Sequence, residues 1–271
     1  MGSSLVLLAG ILPECAPASK RRRPLADLQP GARRVCRGAG LKGDAMAQEP
    51  KRGVVYVAWG RDHVDVARRS AASVKKWNPD LGTAIWCKEG DDTSGFDQAF
   101  FIPEGLKRPK VNVLGESPYD ETLFLDNDTI VRADLSSFFD LLRKYEMCGT
   151  QVILWHRPRH QKKIALDLPD TFPEINTGVL LYRKTPAVLD FFRDWAETFA
   201  ASGMGIDQPS FREVLWRSDV AFYVFPPQFN KRVFEASELI WSDAPRPRIL
   251  HLELLRPQKN RFLRWVSNRI R

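Results

Sequence analysis

Long apolar runs are missing from this sequence. The longest, Leu5 to Leu12, is eight residues, far below the roughly 20 that a membrane-spanning helix needs. A helical integral membrane protein is therefore excluded. Cysteine is scarce: the four residues, at positions 15, 36, 87 and 148, show no CxxC spacing. That excludes a zinc ribbon, offers no disulfide framework and points to a reducing, cytoplasmic compartment. Histidine is equally sparse, and His63, His156 and His160 have no ligand-like partner at helical spacing. Internal repeats are absent. What remains is a 271-residue chain, 44% hydrophobic and 27% charged, the composition of an ordinary globular protein rather than a fibre or a disordered chain.

The net charge of +8 suggests a nucleic-acid partner only until it is divided by region. Residues 1–52 hold ten Lys or Arg against four acids, and residues 256–271 hold six against none. The body between them has 25 bases against 29 acids. Basicity belongs to the ends, and the body lacks the phosphate-tracking surface that nucleic-acid binding requires.

Residues 1–52 are rich in Ala, Gly, Pro and Arg, include the run Lys20-Arg21-Arg22-Arg23, and show no sustained periodicity. Such a leader is expected to be disordered, because it has little apolar surface to offset the entropy of ordering. Leu5 to Leu12 followed by Ala16-Pro17-Ala18 resembles a signal peptide without its basic start. Met46 is an alternative start. From Gly53 the pattern becomes regular. Val54 to Trp59 reads as a strand buried on both faces. A helix is expected from Asp62 to Trp77, ended by Asn78-Pro79. Further strands are expected at Gly82–Cys87, Ala99–Ile102, Leu123–Leu125, Gly149–Trp155, Ile175–Tyr182, Ala221–Phe225 and Arg248–Leu252. Helices are expected at Asp134–Lys144, from Pro186 to Ala200, and from a cap at Asp207 to Trp216. His156 to Pro173 reads as a long excursion. Strands alternating with helices imply an α/β fold with a mostly parallel central sheet in a single domain.

Leu123-Phe124-Leu125-Asp126-Asn127-Asp128-Thr129 is the strongest chemical feature. Two carboxylates one residue apart at a strand end are expected to share a face, because strand side chains alternate. Hard oxygen donors so arranged suit Mg²⁺ or Mn²⁺, which can neutralise a diphosphate. The carboxyl end of a strand is also where open α/β sheets bind ligands. A solvated Asp-Asn-Asp turn is the alternative. Asn176-Thr177-Gly178 inside a strand pattern marks a bulge or a close backbone approach. Arg108 and Lys110 could reach phosphates or form a solvated face, and His251 could be a ligand or a hydrogen-bonded core histidine.

Taken in order, Asp126-Asn127-Asp128, Asn176-Thr177-Gly178-Val179, Asp207-Gln208 and Ile249-Leu250-His251 resemble the motif series of the GT-A-fold nucleotide-diphospho-sugar transferases, the glycogenin- and galactosyltransferase-like group. The resemblance spans about residues 53–257. It implies a GT-A type fold, Rossmann-like, with a mostly parallel sheet flanked by helices. By that similarity Asp126, Asp128 and His251 would hold the metal. Val57, Ala58, Trp59, Lys110, Asp126, Asn127 and Arg256 would bind the nucleotide sugar, and Asp207, Gln208 and Asn176 would shape the reacting centre. The family's late motif has a glycine three residues after the histidine and then Lys-Pro; here His251 to Pro257 lacks the glycine and carries Arg256-Pro257. Arginine pairs with a diphosphate bidentately.

The resemblance implies a metal-dependent, retaining glycosyltransferase using Mn²⁺ or Mg²⁺ and a nucleotide-diphosphate sugar, with a glycan, lipid-linked or protein acceptor. The DxDxT phrase also resembles haloacid-dehalogenase-type phosphatases, with Asp126 as nucleophile; a catalytically silent nucleotide-binding GT-A module is the third reading. Beyond the 53–257 catalytic region lies a basic amphipathic tail, residues 258–271. Phe262, Leu263, Val266 and Ile270 share one helical arc, with Arg261, Arg264 and Arg271 opposite. That pattern suits either docking on the body or peripheral contact with the inner face of a membrane.

Overall fold

β1 (Arg52–Val57) and β4 (Glu121–Leu125) pair in the middle of the main sheet, and both are almost wholly buried. Their near-continuous Val, Leu and Phe content fits strands covered on two faces. The computed structural model describes residues 49–153, 162–233, 246–252 and 255. Among the described residues, seven strands form one sheet in the order β3 (Gln98–Phe101), β2 (Gly82–Cys87), β1, β4, β7 (Ile175–Arg183), β6 (Met147–Gln151), β8 (Phe222–Val224). Every neighbouring pair is parallel except the two made by β7, which runs against β4 and β6. The fold is thus α/β with a mostly parallel central sheet, as expected. Which strand is reversed could not be read from apolar runs, since these carry no direction.

Strand alternation divides the core. Val54, Tyr56, Leu123, Leu125, Val179 and Leu181 face one cluster, where helix α1 (Arg61–Trp77) contributes Val64, Ala67, Ala71 and Val74 at helical spacing. Val55, Val57, Phe124, Leu180 and Tyr182 face the other. There α4 (Pro186–Ser202) supplies Val188, Phe191, Phe192, Trp195 and Phe199, and α5 (Gln208–Arg217) supplies Phe211, Val214 and Leu215. α4 starts as Pro186 suggests, with the Thr185 hydroxyl accepting from the Val188 N–H at 3.2 Å.

A second sheet of three strands carries β5 (Thr129–Val131), β10 (Ile249–Leu252) and β9 (Lys231–Val233) in that order. β5 and β9 are three residues each, too short to stand out as strands in the sequence, and both pair with β10. A short helix, α2 (Pro109–Val113), likewise lies where no helix is expected. The helix expected over 134–144 is instead one turn, α3 (Ser136–Phe139), followed by a 3₁₀ turn over Asp140–Arg143. Residues 1–48, 154–161, 234–245, 253–254 and 256–271 lie outside the described residues; they include the leader up to residue 48, His156, His160, Arg256 and the tail, whereas Arg52, counted with the leader, opens β1. Among the described residues no helix is long and apolar enough to cross a membrane.

Candidate active site

From β1 the chain builds β2 and β3 on one side, then returns to place β4 on the other. That reversal between β1 and β4 is a topological switch point, and in open α/β sheets ligands usually bind beyond the carboxyl ends of the strands there. Val57, Ala58 and Trp59 lie at the end of β1, where Val57 and Ala58 are buried and Trp59 is exposed, its ring stacked on His63 at 6.5 Å. Asp126-Asn127-Asp128 follows the end of β4.

The two aspartates do not converge by strand alternation. β4 stops at Leu125, and a turn closes with the Thr129 N–H donating to the Asp126 carbonyl at 3.2 Å. The Thr129 hydroxyl donates to the same carbonyl at 2.9 Å, and a buried series of hydroxyls, Thr129, Ser70 and Tyr56, ties the turn to α1 and β1. The Asp126 N–H donates to the Gly178 carbonyl at 2.7 Å. β10 then pairs antiparallel with β5, setting His251 opposite Thr129, while the Leu252 N–H donates to the Asp128 carbonyl at 2.6 Å. The distant histidine is thereby delivered to the turn.

His251 Nε2 stands 3.1 Å from Asp128 Oδ1 and 3.8 Å from Asp126 Oδ2. One ligand atom from each of the three residues lies within 4.8 Å of the others. His251 and Asp128 are 1% and 4% exposed, so little water reaches them. Nε2 is buried and makes no hydrogen bond despite its closeness to the carboxylates. A bare imidazole nitrogen facing two carboxylates fits a divalent cation better than it fits a structural hydrogen bond. Gly178 keeps the space open: a Cβ there would come within 2.5 Å of His251 Cε1 and 2.7 Å of Asp126 Oδ2. The pairing of β6 with β7 shifts register between Cys148 and Thr150, so the expected irregularity at Asn176-Thr177-Gly178 is present.

A second charged group adjoins the first. Asp207 precedes α5 but makes no side-chain cap. Its Oδ1 is 2.8 Å from Arg108 Nη2, and its Oδ2 is 2.9 Å from Lys110 Nζ and accepts the Thr177 hydroxyl at 2.7 Å. Burial raises the carboxyl's pKa, but Lys110, Arg108 and Thr177 outweigh it and hold the group well below the usual carboxylate range. Lys110 also donates to the Thr177 carbonyl at 3.2 Å and stands 3.6 Å from Asp126 Oδ1, which joins the two groups. Gln208, half-buried, is the first residue of α5. Asn127 is also half-buried, with an Oδ1 that is shielded and makes no hydrogen bond.

Asp126, Asp128, His251, Lys110, Asp207 and Asn176 thus form one contiguous set, and Arg256 lies outside the described residues. Sequence reasoning missed Asn230. This buried residue donates through Nδ2 to Asn176 Oδ1 at 3.1 Å and faces His251 Nδ1 with Oδ1 at 3.0 Å. A lone asparagine ahead of a three-residue strand leaves no pattern to find.

No protein-family model matches this sequence, and no curated protein sequence matches it either. Solved structures do resemble it. The galactosyltransferase LgtC, solved with donor and acceptor sugar analogues, is 17% identical, covers 74% of this chain and 86% of its own, and has a TM-score of 0.52. An active-site mutant of LgtC covers 80% and 94% at 15% identity and a TM-score of 0.55. The bifunctional glycosyltransferase WbbM, 12% identical with a TM-score of 0.55, covers 75% of this chain but 46% of its own. At such identities the likeness is one of architecture. The chain has the GT-A-type fold of these glycosyltransferases.

Proposed function

We propose that this protein is a metal-dependent glycosyltransferase that moves a sugar from a nucleotide-diphosphate sugar to an acceptor hydroxyl. One observation carries the reading: Asp126, Asp128 and the bare Nε2 of His251 converge at the carboxyl end of β4, beside the sheet's reversal point. Two carboxylates and an imidazole would hold Mn²⁺ or Mg²⁺ and leave positions for phosphate oxygens. When bound, the metal supplies positive charge against the negative charge growing on the leaving diphosphate.

The chain's own residues divide the remaining work. Asp126 and Asn127 face the nucleotide ribose, Val57 to Trp59 receive the base, and Arg256 and Lys110 meet the diphosphate side. Both Asp207 oxygens are engaged by cations or Thr177, so Asp207 orients its neighbours and is a weak base. Asn176 has its Oδ1 occupied, which leaves its amide N–H groups for the donor sugar. Gln208 supplies a neutral amide near the anomeric carbon, and the reaction proceeds with retention. The acceptor is a glycan, a lipid-linked sugar or a protein. The phosphatase reading puts its motif on the first strand of a domain, whereas here it follows β4 in a GT-A-type fold.

Thermal shift with nucleoside diphosphates, with and without Mn²⁺, tests the proposal. A ligand at 100 times its dissociation constant stabilises by about 2.7 kcal/mol. Asp128→Asn keeps the buried volume and is expected to lose the Mn²⁺-dependent shift while remaining folded. An unaltered shift in that variant would remove Asp128 from the site. Transfer or hydrolysis of the donor separates an enzyme from a silent module, and aryl-phosphate turnover through phosphorylated Asp126 would support the phosphatase.

A further inference from the structure

The polarity of a single backbone amide determines the state of the histidine. Gly178 N–H can only donate, and it donates to Asn176 Oδ1 at 3.0 Å. Oδ1 is therefore the oxygen of that side chain and can only accept. Asn230 approaches the same Oδ1 at 3.1 Å and must present its Nδ2 group there. Its other end, Oδ1, then faces His251 Nδ1 at 3.0 Å and must receive a proton from it. Nδ1 carries the hydrogen, so in the neutral ring Nε2 carries the lone pair. Nε2 is the atom that is buried without a hydrogen bond and turned toward Asp126 and Asp128.

We propose that Asn230 is a positioning residue that relays the polarity of the Gly178 amide through Asn176 and locks His251 in the Nδ1–H tautomer. All three side chains are at most 3% exposed, so water cannot take over a broken link. The relay also joins the two sheets. Asn176 and Gly178 belong to β7 of the large sheet, and His251 belongs to β10 of the small one. Asn230 ends the 3₁₀ turn Pro227–Asn230 and leads directly into β9, whose parallel pairing with β10 sets Arg232 beside His251. The imidazole's height in the site is thus set by strand pairing and its protonation pattern by the asparagine. Gly178 serves twice, since its amide starts the relay and its missing Cβ admits His251 Cε1. The tautomer stands on these hydrogen bonds alone; its consequence for metal affinity rests on the proposed metal site.

The test uses the full chain, free of metal and labelled with ¹⁵N-histidine, at an alkaline pH where imidazoles are neutral. Long-range ¹H–¹⁵N correlation spectra distinguish the two tautomers, and His251→Gln identifies the His251 signals among the four histidines. The parent is expected to show His251 with hydrogen on Nδ1. Asn230→Leu, which keeps the approximate shape but neither hydrogen bond, is expected to mix the tautomers. Its calorimetric affinity for Mn²⁺ should fall by about 10- to 100-fold, the usual loss when a ligand histidine's outer partner is removed. Asn230→Asp keeps an acceptor for Nδ1–H while giving up the donation to Asn176, and is expected to restore the parent tautomer, a rescue that a purely structural role would not produce. If the leucine variant does not fold, the parent and aspartate spectra still decide the matter. An Nε2–H tautomer in the parent overturns the proposal, as does a folded leucine variant with parental tautomer and affinity. An Nδ1–H tautomer in a parent that binds no divalent ion upholds the relay and overturns the metal site instead.

Discussion

Asp207 shows how the same residue type does different work under different neighbours. An aspartate just ahead of a helix usually accepts from the first-turn amides. Here the side chain turns instead toward Lys110 and Arg108, because two buried or half-buried cations offer a charged carboxylate more than a neutral amide can. The helix start is secured by other means: Trp195 Nε1–H and the Ser210 hydroxyl both donate to the Asp207 carbonyl, at 3.2 and 2.8 Å. Asp207→Asn would leave Lys110, whose side chain is 8% exposed, without its nearest counter-charge. Removing one partner of a buried pair typically costs about 3–5 kcal/mol. Urea unfolding is expected to show a lower midpoint with an unchanged slope, the signature of lost stability rather than altered compactness.

At the scale of elements, α5 is the part that links the site to the surrounding chain. Its consecutive residues Arg212 and Glu213 clamp the segment that leads into β7. Arg212 donates to the Phe172 and Pro169 carbonyls at 2.7 and 3.0 Å, and Glu213 accepts from the Ala165 and Leu166 amides at 3.0 and 3.1 Å. Glu174, buried just before β7, completes this region. Burial pushes its carboxyl up to about 8, with Asp207 adding to the rise and Arg212 and Lys162 opposing it. A carboxyl raised on folding binds its proton more tightly in the folded state. Its stabilising contribution is therefore full below the ordinary glutamate range and is lost as pH rises through about 8. Melting temperature is expected to fall across that window in the parent. Glu174→Gln, neutral at every pH, should flatten the fall, and a variant retaining the parent's full slope would assign it to another group.

For the whole molecule, the decisive contrast is between an acidic body and basic ends. Residues 53–255 carry 25 bases against 29 acids, whereas residues 256–271 carry six bases and no acid. A tail with Phe262, Leu263, Val266 and Ile270 on one arc and arginines opposite has the pattern of a segment that lies on an anionic surface. Each basic residue near such a surface contributes on the order of 1 kcal/mol. Co-sedimentation of the full chain with anionic vesicles separates this surface contact from a tail docked on the body: sedimentation at low salt with release at high salt, as charge screening requires, would support the contact. Failure to bind even at low salt would leave the alternative, a tail docked on the body, and would remove the link to a membrane-borne acceptor.

Local pattern alone determined the interior of this protein. Val54 to Val57, Leu123 to Leu125 and Val179 to Tyr182 are apolar enough to be buried on both faces, and α1 and α4 carry apolar residues at helical spacing. Those signals lie within a few residues, so they survive without knowledge of what packs against them. The Asp126-Asn127-Asp128 phrase was legible for the same reason, and His251 and Asp207 were legible as members of a motif order. Tertiary structure decided the rest. β5 and β9 are three residues each and hold their conformation through pairing with β10. The aspartates meet His251 because that pairing and a turn bring them together, where strand alternation would have required β4 to continue. Asn230 is invisible in sequence because its meaning lies in two partners on different sheets. A donor or acceptor acquires direction only from the group it meets, and those meetings are made by the fold.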